Sequence, residues 1–357
     1  MEQQCSSSQR VSLTMSSTNT TEALVIHHKG DLRLDKIPLP ALEAGTVRIR
    51  PAWGGICGSD MHYFLHGGVG ASVLREPMVL GHEVSGVVEA VAPDVTRFHA
   101  GEAVAIHPAK PCGTCPECLR GARHLCRNMR FFGSAALLPH TGGGFRREMI
   151  VDASQLYALP PGLDVRRASM AEPFSVALHA ISRAGNVEGR KILVQGAGPI
   201  GALIVAGLKI AGASEIVVTD LHDFPLEIAR KLGATATFNT SQAAHEDEYE
   251  VVFEATGVIS ALPTAIARTR KGGILVQVGI FPPGDIPAPL AQIISRELDY
   301  RGTFRFDLEF GEALNLLAKN HWIADGLITH SFPLEHYQDA FTASLDRKTS
   351  SKVLLEL

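Results

Sequence analysis

The chain has 357 residues, of which 45% are hydrophobic and 20% charged. That balance excludes a mostly disordered or collagen-like polymer, and the length accommodates two domains, each with its own core. Against 33 Lys and Arg stand 37 Asp and Glu, a formal net charge of −4, which calls for neither a nucleic-acid nor a phospholipid partner.

Residues 1–21 are polar and rich in Ser and Thr, and they lack the apolar centre of a secretory signal. They are expected to form a disordered extension, with Cys5 as a bystander in it. No stretch approaches the roughly eighteen uninterrupted apolar residues of a membrane-spanning helix, and a cytoplasmic location is expected. From about residue 22 to 110 the runs LVIHHKGDLRLDKIPL, TVRIRPAWGGICG and EVSGVVEAVAP are short and β-rich, broken by Gly and Pro. They predict a β unit with few long helices. Turn-rich sequence then continues to about Pro161.

The cysteines are unevenly spread: Cys5, Cys57, then Cys112, Cys115, Cys118 and Cys126 within fifteen residues. A disulfide scaffold would be short and would distribute them, so the cluster reads as metal binding in a reducing compartment. Cys112-x2-Cys115-x2-Cys118-x7-Cys126 can close a tetrahedral structural zinc site, and Pro111, Gly113 and Pro116 favour the turns it needs. Ferredoxin iron–sulfur spacings differ. A looser set joins Cys57 in GGICGSDMHY, His82 and Glu83 in LGHE, and Glu172 in AEP. A thiolate, an imidazole and a carboxylate suit a catalytic zinc with one position open, although distance along the chain does not assemble them.

After about residue 176 strands alternate with helices: KILVQGAG, IGALIVAGLKIAG, EIVVTD, FPLEIARKLGA, YEVVFEAT, LPTAIARTR and GGILVQVGI. That alternation means βαβ units on a parallel sheet. Within it Gly196, Gly198 and Gly201, with Pro199 and Ile200 between, form G-x-G-x-x-G after a strand and at the start of a helix. The glycines allow the tight turn, close approach of a pyrophosphate and helix–strand packing, while the helix N-terminus supplies N–H donors. Asp220 closes the next strand, placed to accept hydrogen bonds from an adenosine ribose and to repel a 2′-phosphate. Asp223 adds negative charge and no Lys or Arg follows closely, so NAD is expected over NADP. After about residue 310 the alternation fades into GEALNLLAKN and LEHYQDAFTASL as helices and KVLLEL as a last strand.

Together GGICGSDMHYF, PMVLGHEVSGVV, the four-cysteine lobe, AEPFSVALHA and VQGAGPIG resemble the zinc-dependent medium-chain dehydrogenases, and within them the polyol branch. CRNMRFFGS, with Pro139-His140 after it, and RGTFRF look like the L-idonate 5-dehydrogenase group. The resemblance implies an α/β architecture: a β-rich GroES-like catalytic domain over 22–175, completed by 312–357, and a doubly wound Rossmann domain over 176–311. It also implies two zinc ions and NAD, a homodimer or homotetramer, and hydride transfer between NAD(H) and a secondary alcohol of a sugar acid or polyol. L-Idonate to 5-ketogluconate is the first expectation; sorbitol, xylitol and L-threonine are the alternatives.

By position, the resemblance makes Cys57 and His82 catalytic zinc ligands and Glu83 a carboxylate near or on the metal. Glu172 would reach the metal directly, through water, or contact substrate. Ser59 and His62 match a proton relay; Tyr63 and Arg305 match polyol contacts. A sugar acid also calls for a forked cation at its far end, for which Arg130 and Arg305 are candidates and His140 a weaker one. A zinc module that binds nucleic acid is the competing class. The basic run Lys110, Arg120, Arg123, Arg127 and Arg130 would serve it, but the net charge and the set of catalytic positions argue against it.

Overall fold

A computed structural model describes residues 19–242 and 245–357; Cys5 and most of the expected extension lie outside the described residues. The first strand, Thr20–His28, opens slightly before residue 22. Thr21 is buried there, and its hydroxyl oxygen accepts the N–H of Glu148 at 2.9 Å, which ties this end of the strand down. Antiparallel pairing with Asp31–Pro38 and Met78–Val79 makes a three-stranded sheet.

A seven-stranded sheet is built around Thr46–Gly55, which pairs antiparallel with Glu83–Val91 on one side and with the C-terminal strand Lys352–Glu356 on the other. Ile328–Pro333 extends it beyond Lys352–Glu356, and Met149–Asp152 pairs with the start of Thr46–Gly55. The register sets Gly55 opposite both Glu83 and Leu354. A side chain at Gly55 would collide with the Glu83 carboxylate, so glycine here leaves room for a buried charge beside the sheet.

The segment GSDMHYFLH departs from the strand-rich expectation: Gly58–His66 is a helix. Cys57 caps it, and Asp60 in its first turn reaches back to the Cys57 backbone N–H at 3.0 Å, half of a capping box. Gly67, at φ 74°, ends the helix in the left-handed conformation that glycine adopts without strain.

The second sheet has six parallel strands in the order Ala236–Asn239, Glu215–Asp220, Lys191–Gln195, Tyr249–Glu254, Thr269–Gln277 and Asp299–Gly302. Strand order reverses between Lys191–Gln195 and Tyr249–Glu254, and the carboxyl ends there open the crevice where a dinucleotide binds in this architecture. Helix Pro199–Ile210 follows directly from Gly198 as its cap, with proline at the first helical position. A Cβ at Gly201 would run into the Gly196 carbonyl oxygen.

Helix Ala171–Ala184 packs on both Pro199–Ile210 and Glu309–Lys319. Its inner face sets the small residues Ala171, Ser175, Ala177, Ala180 and Ala184 around the fully buried Phe174, which lets the helices approach closely. Phe174→Ala would cost about 3–5 kcal/mol of stability through lost transfer energy and the cavity left behind. The helix begins at Ala171-Glu172, so the same packing fixes Glu172 near the first sheet.

Candidate active site and metal centres

Ligand atoms of Cys57, His82 and Glu83 lie within 4.8 Å of one another. Helix Gly58–His66 carries Cys57 at its cap, and the turn entering Glu83–Val91 carries the other two. Asp60 locks these pieces together: its carboxylate accepts the N–H of Cys57 at 3.0 Å and that of Gly81 at 3.1 Å. The side chain is fully buried, and burial pushes its carboxyl above the usual carboxylate range, against the pull of His82 and the two N–H groups. Sequence reading passed over Asp60, although a carboxylate three residues past a candidate cap is a recognisable signal.

His82 Nδ1 is buried without a hydrogen-bond partner among the described residues, 3.8 Å from Asp60 Oδ1, and Ser59 Oγ lies 3.4 Å from His82 Nε2. Glu83 is fully buried, and both of its oxygens accept from Lys352 Nζ at 2.7 Å. Lys352 Nζ also donates to the Ile56 carbonyl at 3.2 Å. Nothing local in the sequence marks Lys352.

Glu172 is buried at the start of its helix but lies outside the tight trio. Burial raises its carboxyl to about 7, opposed by His82 and Lys352 and reinforced by Glu83 and Asp60. Soft thiolate, imidazole and carboxylate donors held at this separation fit a zinc ion, and the orphaned imidazole nitrogen marks a donor set with unmet valence.

The expected substrate contacts separate. Tyr63 is buried, and its hydroxyl oxygen accepts the Ala135 N–H at 2.9 Å. His62 lies on the exposed side of the same helix, its ring 5.5 Å from that of His66, with no hydrogen bond to Ser59. Arg130 donates to the carbonyls of Pro139 at 2.5 Å and Leu138 at 3.4 Å. His140 accepts the Arg75 N–H at Nε2 and faces the Leu137 carbonyl with Nδ1, at 2.9 Å each. Arg130 and His140 therefore use these groups to brace a loop.

Arg305 is different. It sits in the left-handed region at φ 55°, with its guanidinium 4.7 Å from the Phe131 ring centroid and 4.9 Å from that of Phe304. It makes no ion pair among the described residues; burial lowers its guanidinium below the usual range, opposed chiefly by the Glu172 carboxylate. The Phe131 ring also packs on His82, 5.6 Å between centroids, so one aromatic ring touches both the candidate metal ligand and the free guanidinium.

In the four-cysteine lobe Cys115 Sγ lies 3.5 Å from Cys118 Sγ and 3.9 Å from Cys126 Sγ. Four sulfurs about 2.3 Å from a zinc ion stand roughly 3.8 Å apart in a tetrahedron, whereas a disulfide bond is near 2.05 Å, so the spacing fits zinc. Backbone N–H groups of Thr114 and Cys115 lower the Cys112 thiol to about 5; burial raises that of Cys118 to about 12. The lobe surrounds itself with Met129 and Phe131 and has no free position.

At the dinucleotide crevice Gly196 has φ 98° and a Cβ there would meet Thr256 at 2.8 Å. Asp220 accepts the Ala197 N–H at 2.8 Å and the His222 N–H at 3.0 Å, so its carboxylate is held at the strand end beside the glycine turn. Asp223 accepts from Asn239 at 2.7 Å. Glu254, also unanticipated, is fully buried and takes the N–H groups of Thr256 and Gly257, which shapes the adjoining loop.

Residues 43–161 match the family model described as alcohol dehydrogenase GroES-like domain, and residues 199–319 match that described as zinc-binding dehydrogenase. The chain is 38% identical to L-idonate 5-dehydrogenase (NAD(P)(+)) of Escherichia coli (strain K12) over 349 residues, 94% of this chain and 98% of that protein. It is 36% identical to sorbitol dehydrogenase of Gallus gallus over 353 residues, 96% and 98% of the two chains. The crystal structure of L-idonate 5-dehydrogenase from E. coli superposes with a TM-score of 0.90 at 35% identity, covering 95% of this chain and 99% of that one.

Proposed function

The chain belongs to the zinc-dependent medium-chain dehydrogenases, in the branch of L-idonate and sorbitol dehydrogenases, and on that premise we propose that this NAD-dependent enzyme oxidises a secondary alcohol of a sugar acid, L-idonate to 5-ketogluconate. The observation that carries the sugar-acid reading is Arg305: a forked cation without an ion pair among the described residues, one aromatic ring away from His82. Such a group recognises a carboxylate in two-point fashion.

Cys57 and His82 would hold the catalytic zinc, with Glu83 or Glu172 as the further carboxylate, and Cys112, Cys115, Cys118 and Cys126 the structural zinc. The zinc supplies Lewis acidity that brings the hydroxyl pKa toward neutrality, and NAD supplies the hydride acceptor. Ser59, beside His82, would take the hydroxyl proton and pass it outward, and His62, on the exposed side of the same helix, would receive it through an intervening water. Gly196, Gly198 and Gly201 with the helix N-terminus would seat the pyrophosphate, and Asp220 the adenosine ribose in preference to a 2′-phosphate.

A catalytic domain of 22–175 plus 312–357 around a Rossmann domain of 176–311 is supported by the strands Ile328–Pro333 and Lys352–Glu356 in the first sheet. A cytoplasmic homodimer or homotetramer completes the proposal. A neutral polyol substrate, sorbitol or xylitol, is the second reading, favoured by the sorbitol dehydrogenase relatives.

The test is turnover of purified enzyme with NAD and with NADP against L-idonate, D-gluconate, sorbitol, xylitol, L-threonine and ethanol. The highest kcat/KM is expected for L-idonate with NAD. Turnover of neutral polyols alone would overturn the sugar-acid reading.

A further inference from the structure

The four-cysteine lobe reaches the active site at two points, and both converge on the segment that carries Arg305. Phe131, part of the lobe's own apolar cluster, lies under the Arg305 guanidinium at 4.7 Å. Two residues beyond Arg305, the Asp307 carboxylate faces the short helical turn Arg123–Leu125 of the lobe, at ion-pair rather than hydrogen-bond distance. Arg123 Nε lies 3.6 Å from Asp307 Oδ1, and His124 Nδ1 lies 3.5 Å from Oδ2.

The Asp307 backbone is fixed as well: its N–H donates to Glu309 Oε2 at 2.7 Å. Glu309 Oε1 is in turn 2.8 Å from His179 Nδ1, on the helix that begins with Glu172 about two turns earlier. Between the two charged residues, Phe306 is buried against the rings of His107 and Phe310. Arg305 is thus held in a left-handed conformation that costs a non-glycine residue on the order of 1 kcal/mol and persists only when its neighbours over-determine it.

We propose that Asp307 is a positioning residue for substrate recognition: paired in charge with Arg123 of the four-cysteine lobe and tied through its backbone to Glu309, it holds Arg305 aimed at the substrate's carboxylate. The lobe is then a specificity element as well as a staple. This rests on the sugar-acid reading of Arg305.

The experiment compares Asp307→Asn, Asp307→Glu, Arg123→Gln and Arg305→Ala with wild type, measuring KM and kcat for L-idonate and for sorbitol, zinc content, and the Tm shift on adding L-idonate. Asp307→Asn is expected to raise the L-idonate KM about tenfold and, at an L-idonate concentration near the wild-type KM, to remove most of the L-idonate Tm shift. The kcat, the KM for NAD and two zinc ions per chain should be retained, and Asp307→Glu should recover part of the loss. Should Asp307→Asn fold poorly, Arg123→Gln, whose side chain is half exposed, reads the same KM effect. An unchanged L-idonate KM in both variants, alongside a raised one in Arg305→Ala, overturns the positioning role and leaves the sugar-acid reading standing. Equal effects of Arg305→Ala on L-idonate and sorbitol overturn both.

Discussion

Lys352, on the last strand, places its ammonium 2.7 Å from each oxygen of Glu83, a partner 269 residues earlier in the chain. Both side chains are almost completely buried. Taking two charges out of water costs several kcal/mol each, so removing one partner leaves an uncompensated buried charge. Lys352→Met is expected to lower stability by about 3–5 kcal/mol, read as a fall in denaturant midpoint, and the double variant with Glu83→Gln should recover much of it. A single variant as stable as wild type would show that the pair contributes nothing.

The two metal centres separate by consequence. Cys57 lies at a helix cap beside His82 and Glu83, whereas the lobe cysteines form a separate apolar cluster. Cys57→Ser should reduce kcat/KM on the order of a hundredfold or more, with zinc near one per chain and Tm close to wild type. Cys112→Ser should lose the other zinc and lower Tm first. Elemental analysis and calorimetry on the two proteins distinguish these outcomes.

Asp220 sets cofactor choice if its carboxylate is what excludes a 2′-phosphate. Asp220→Ser is expected to shift the ratio of kcat/KM for NADP over NAD by about tenfold or more, equivalent to about 1.4 kcal/mol. An unchanged ratio in steady-state assays would assign the preference elsewhere.

His107 packs among Tyr157, Phe306 and Phe310, and burial lowers its imidazole pKa from 6.5 to about 4. Between those values the unfolded chain binds a proton that the folded one refuses, so this group's contribution is intact above pH 6.5 and is lost as pH falls toward 4. The slope approaches 1.4 kcal/mol per pH unit at most. His107→Asn, which can keep an acceptor for the Ala109 N–H, should flatten the fall in stability between pH 6.5 and 4.5. Parallel profiles for the two proteins would show that His107 carries no part of it.

Much of this molecule is written locally. The turns around Cys112, Cys115, Cys118 and Cys126 need only a short stretch of chain to bring four sulfurs together, and Gly196–Gly201 needs only one strand, one turn and one helix. Asp220 follows because it ends the next strand in register. The helix Gly58–His66 was the local feature overlooked, since its start depends on Asp60 reaching back to Cys57.

The lobe, the fingerprint and the strand–helix alternation are legible along the chain, because each is satisfied by neighbours a few residues apart. Folding in three dimensions is what pairs Glu83 with Lys352, sets Arg130 and His140 to brace a loop, and leaves Arg305 beside Phe131 with no ion pair among the described residues. Those outcomes depend on which partner, a counter-charge, a backbone group or an aromatic face, the fold brings within reach of each polar side chain. That competition is settled by sheet register and helix packing, between residues whose distance along the chain carries no trace of their distance in space.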